Sequence, residues 1–183
     1  ITGFLLTAIP NWTGRLPVRG APLLALVLLW LAGRFAVFFS AEIGWIVAAI
    51  IDCAFLVAVA ASAAKEIVPG RNWRNLMVLV PVTVFLLANV LFHVEAGLGG
   101  SSDYARRLAI GAAVMLIVII GGRIIPSFTR NWMVRENPGR LPVPFNRFDK
   151  ITLLICAIAL LLWTVAPDGM MAGLVLCLAG VLH

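Results

Sequence analysis

Apolar runs of nearly uniform length dominate the sequence from Ala21 onward. Five of them, at 21–39, 43–64, 75–94, 105–125 and 150–166, have about the 17–25 residues that a helix needs to cross a bilayer core. Short polar connectors separate them. Runs of this length set the expected fold class: all-α, a polytopic transmembrane helical bundle with about five full spans and partial helices at both ends. Composition agrees. A chain that is 62% hydrophobic and 12% charged, with mean hydropathy +1.06, has more apolar surface than one soluble core of 183 residues can hide.

The first apolar segment stops at Pro10, and the last, from Gly169 to His183, is short for a span. Residues 1–183 are therefore expected to form a single helical membrane domain, an internal piece of a longer protein. No Met or charged leader precedes the apolar start and no small-residue cleavage pattern follows it, so a signal peptide is not expected.

The net charge of +6 is distributed by connector. Arg15 and Arg19 lie in 10–20, Lys65, Arg71 and Arg74 in 65–74, and Arg130, Arg135, Arg140 and Arg147 in 126–149, with Lys150 just beyond. The alternate connectors hold Glu42, Glu95, Asp103 and Asp168, and only Arg106 and Arg107 lean the other way. Cytoplasmic connectors collect Lys and Arg, so 10–20, 65–74 and 126–149 are expected in the cytoplasm. The basic excess reports topology; the partner is the lipid bilayer, not nucleic acid.

Two stretches repeat. Ile9-Pro10-Asn11-Trp12-Thr13 matches Ile125-Pro126-Ser127-Phe128-Thr129 in residue type, and Gly14-Arg15-Leu16-Pro17-Val18 returns unchanged as Gly139-Arg140-Leu141-Pro142-Val143 after an insertion. The copies, near 9–18 and 125–143, enclose an even number of helices and so share one orientation, which predicts a parallel internal repeat of about four helices. Pro10 is expected to close the first helix, and Pro126 to begin the longest polar loop.

Charges inside spans are costly, usually face the bundle interior and usually have a partner. At 1.5 Å per residue, Arg34 sits roughly 20 Å above the cytoplasmic start of its helix and Asp52 roughly 14 Å below the outer start of the next. In a core of about 30 Å these depths nearly coincide. Asn89 lies at a similar level and His93 one turn further out, on the same helix face. A polar cluster of Arg34, Asp52, Asn89 and His93 is expected in the outer half of the bundle. The plainer alternative is that Arg34 and Asp52 simply neutralise each other while His93 caps its helix in interfacial water.

His93 and His183 are the two histidines, and the chain has no His-x-x-x-His or Cys-x-x-Cys pair. His183 lies about 21 Å below the outer start of its helix, far deeper than His93. The two are not expected to hold one iron from opposite sides; as metal ligands each would serve a separate site. Cys53, Cys156 and Cys177 fall within apolar runs and read as buried core residues, not as a disulfide framework. At the cytoplasmic end, Asn11 and Trp12 match Arg123 and Thr129 in depth and could form an inner polar vestibule, or simply helix ends with an aromatic belt. No nucleophile and base arrangement, phosphate loop or carboxylate pair is present.

Taken together, Ala8-Ile9-Pro10-Asn11-Trp12-Thr13-Gly14-Arg15, Asn72-Trp73-Arg74-Asn75 leading to Ala88-Asn89-Val90-Leu91-Phe92-His93, and Gly121-Gly122-Arg123-Ile124-Ile125-Pro126-Ser127-Phe128-Thr129 closely resemble the NnrS family over nearly the whole chain. The resemblance implies a bacterial inner-membrane protein of about twelve helices that contains haem and copper and takes part in the nitric oxide response of denitrification and nitrosative stress. It implies His93 and His183 as cofactor and metal ligands and nitric oxide as a ligand. Turnover of nitric oxide and protection without catalysis are both compatible with it. A small-solute or ion transporter built on the parallel repeat is the alternative from another class.

Overall fold

A computed structural model of the chain describes residues 2–14, 16–67, 73–136, 139–143 and 145–183, except the side chains of 11–13 and 73–76. The described residues are helical, without strands. The elements are α1 (Thr2–Thr13), α2 (Ala21–Phe38), the single turn α3 (Ser40–Ile43), α4 (Trp45–Ile67), α5 (Trp73–Gly97), α6 (Asp103–Glu136), α7 (Arg147–Val165) and α8 (Met170–Leu182). Five of them, α2, α4, α5, α6 and α7, are long and apolar enough to cross a membrane. Their outward surface is apolar: Leu24, Leu28 and Phe35 on α2 and Ile46 and Ile50 on α4 are all exposed. Such a surface belongs in lipid, and the chain is a membrane protein.

The chain forms two compact units, Ile1–Ala109 and Ile110–His183. In the first, α4 is the hub, packed against α1, α2, α3 and α5. Its buried positions Ala48, Asp52, Val59, Ala63 and Ile67 recur at helical spacing, and its alanines let neighbouring backbones approach closely, as helix packing in lipid favours. Two hydroxyls within the spans of this unit are satisfied locally: Ser62 donates to the Ala58 carbonyl (2.8 Å) and Thr83 to that of Leu79 (2.9 Å). In the second unit, Cys156 and Ala159 of α7 pack with Ala179 of α8, and Met115 and Val118 of α6 close this apolar core. Asn146 caps α7 in a reciprocal box with Asp149.

Neither repeat proline stops its helix, contrary to the sequence-based expectation. Pro10 lies inside α1, and Pro126 lies inside α6, which continues ten residues further to Glu136. Proline removes one backbone donor, a loss that spanning helices tolerate when neighbours satisfy the freed carbonyl. The stop in the first copy is Gly14, in the left-handed region at φ 71° directly after α1. The second copy carries Arg130 at the matching place and reaches its glycine only at Gly139, so α6 runs on. Of the three cysteines, Cys156 is buried and Cys53 half-buried, but Cys177 is exposed; Ala172 and Ala179, a heptad apart, form the packed stripe of α8, and Cys177 lies off it.

Candidate functional site: a buried carboxylate shared by three helices

Asp52 lies two turns into α4 and is 5% exposed. Gly33 on α2 brings a second backbone against it: a Cβ at this position would stand 2.8 Å from Asp52 Oδ1 and 3.1 Å from its Cα. The next residue, Arg34, pairs through Nη2 with Oδ1. From α5, Asn89 Nδ2 donates to Oδ2 at 2.8 Å, and His93 Nε2 lies 3.1 Å from the same oxygen. The spacing of four puts Asn89 and His93 on one face, one turn apart, and lets both reach a single carboxylate. The structure thus brings Arg34, Asp52, Asn89 and His93 together.

Burial within the cluster is uneven. His93 is 7% exposed, whereas the Arg34 side chain is 52% exposed, so one member of the ion pair is enclosed and the other reaches the rim. A buried carboxylate without partners would be strongly destabilising; here both oxygens are engaged. Phe92 meets the His93 ring edge-on, with centroids 5.8 Å apart. At the end of the same helix pair, Trp45 covers Gly97 so closely that a Cβ there would overlap its indole. Antiparallel α4 and α5 are thereby fixed in register near the site.

Sequence reasoning left Cys53 out of the cluster. Its Sγ lies 3.5 Å from Asn89 Nδ2, and the available signal was adjacency, since a helix turns only about 100° between Asp52 and Cys53. The sequence pattern places Glu95 only among the connector charges. Its Oε2 accepts the Ala105 backbone N–H at 3.2 Å, tying the end of α5 to the start of α6.

The other candidate residues lie elsewhere. His183 is exposed at the end of α8, where its backbone N–H donates to the Ala179 carbonyl at 3.2 Å. Arg123 is partly buried and Thr129 exposed, both on α6. The side chains of Asn11 and Trp12 lie outside the described residues. Among the described residues no three His, Cys, Asp or Glu side chains are grouped to hold a metal ion. What the site offers is one buried imidazole with a carboxylate behind it.

No curated protein and no solved structure matches the chain. The family model described as NnrS protein matches residues 1–183. A chain with apolar spanning helices, matched over its whole length, belongs to the NnrS family.

Proposed function

We propose that this chain is part of a bacterial inner-membrane protein that binds haem and copper and takes part in nitric oxide tolerance, with segments 10–20, 65–74 and 126–149 on the cytoplasmic side. The observation that carries the reading is His93: buried, with Nε2 against Asp52, in a chain of the NnrS family. A carboxylate behind a ligating imidazole orients the ring and raises its basicity, so His93 fits as one metal ligand. His183 has no hydrogen-bond partner to its ring among the described residues and is the second candidate. A bound haem iron or copper ion would supply the centre to which nitric oxide coordinates.

The half-exposed Arg34, paired with a buried Asp52 at membrane depth, is also what a small-solute transporter would use. One experiment separates the two readings. The full-length protein, purified in detergent from haem-replete cells, is assayed for metal content and for a Soret band with and without nitric oxide, alongside His93→Ala and His183→Ala. Bound haem and copper, a band that nitric oxide shifts, and loss of a metal in one variant are expected. A wild-type protein without metal or band overturns the reading in favour of the transporter.

A further inference from the structure

α6 is longer than the span it makes. Its 34 residues give an axis of about 51 Å, against about 30 Å for a bilayer core and about 40–45 Å with both headgroup layers. The apolar run begins with the helix, at 105, so the excess lies at the other end, past Pro126. Residues 127–132 are exposed without a break, through more than one and a half turns, so among the described residues nothing covers any side of the helix there. Yet one side of it is apolar. Phe128 and Trp132, four apart and hence on one face, are 71% and 62% exposed, and Ile125 extends their stripe one turn back. Arg130, two residues from each ring, points roughly 200° away from both. Ser127 lies on that same side, where Val134 is the one apolar residue. Aromatic rings on one side and a cation on the other match the boundary between acyl chains and headgroups, and neither water nor the acyl interior suits both.

We infer that α6 crosses the bilayer at a tilt of about 30°, from one headgroup layer to the other, and that its last turns are seated in the lipid interface, with Phe128 and Trp132 against acyl chains and Arg130 and Arg135 on lipid phosphates. Upright, the helix overshoots the two headgroup layers by about 6–11 Å, an excess that takes in Trp132, four residues from the end. At about 30°, within the roughly 0–40° found for spanning helices, 51 Å of axis covers about 44 Å of depth, and the whole helix fits. Arg135, three residues past Trp132, borders the aromatic stripe; its stem can run along that stripe while the guanidinium turns outward to the phosphates. The partner of this segment is thus the phospholipid surface itself, not a second protein.

The test uses the full-length protein in phospholipid liposomes. Nitroxides are placed one at a time at positions 127–134 in a variant with every cysteine replaced by alanine. Collisions are measured with oxygen, which concentrates in lipid, and with a water-soluble nickel chelate. Positions 128 and 132 are expected to favour oxygen, and 127, 130 and 134 nickel, so that the two profiles alternate out of phase at the helical period. Nickel contact at every position means that the segment stands free in water and overturns the inference. Little contact with either reagent, in phase along the segment, means that another helix or a second copy covers it and overturns the inference as well. Fluorescence of Trp132, taken as the difference between wild type and Trp132→Phe, gives a readout with the native cysteines in place. Lipids brominated at the headgroup end of their chains should quench most of this signal, and acrylamide in the water little of it; the reverse order overturns the inference. Arg130→Glu combined with Arg135→Glu should raise nickel contact at 128 and 132, because carboxylates are repelled by the phosphates that the arginines hold. Unchanged contact overturns the assignment of these arginines to phosphates. Each of these outcomes leaves the proposal of haem and copper binding untouched, since His93 and His183 lie on other helices.

Discussion

The two units solve the same packing problem with opposite chemistry. In Ile110–His183 the helices meet through Cys156, Ala159 and Ala179, small groups with little to satisfy. In Ile1–Ala109 three helices meet on a carboxylate, with partners contributed by α2 and α5. The apolar contact can slide with little penalty, because lipid tails are as apolar as the side chains they replace. The polar one cannot, because each group displaced from its partner stays unsolvated. Rigidity in this chain is therefore concentrated where α2, α4 and α5 converge, which is also where a ligand would need a ring held still.

Breaking the polar contact should have the largest effect. Asp52→Leu leaves Arg34 charged and unpaired and should destabilise the protein by about 3–5 kcal/mol, whereas Arg34→Met with Asp52→Leu should recover most of the loss. Detergent titration followed by circular dichroism would measure both, and equal losses in the single and double variants would contradict the ion-pair account. Gly33→Ala comes next: its Cβ would press on the backbone of Asp52, and a shift of α2 should cost about 1–3 kcal/mol by the same measurement.

A matched pair sharpens the comparison. Cys156→Ser places a hydroxyl in the apolar core and should cost about 1 kcal/mol. Cys53→Ser puts the same hydroxyl beside Asn89 and should change stability by less than about 0.5 kcal/mol. Equal effects would show that the two cores do not differ in polarity as described. Arg130→Gly should remove about 1 kcal/mol or less of helix propensity, read as faster proteolysis near Arg130; unchanged cleavage would mean that glycine alone does not decide where this helix stops.

The spans were legible because bilayer thickness fixes their length, so α2, α4 and α7 begin and end within a few residues of their apolar runs. The ends of α1 and α6 were not. Proline reads as a stop in water, where neighbours rarely compensate for its missing donor, but Pro10 and Pro126 sit inside helices. For the site, counting residues gives depth, and depth gives Arg34 and Asp52 one level. It does not give rotation about the helix axis, which decides that Cys53 also reaches Asn89 and that Trp45 covers Gly97. Those contacts depend on side-chain packing between helices, which residue spacing alone does not encode.

Arg34 and Asp52 are 18 residues apart in the chain. During synthesis the N-terminal partner emerges first, so α2 reaches the membrane carrying a cation whose anion is still being made. A lone arginine at that depth costs about 3 kcal/mol even on the most lenient scale. The hairpin of α2 and α4 is thus the smallest piece containing Arg34 that can enter lipid without a bare charge, and biogenesis should treat the two helices as one insertion unit.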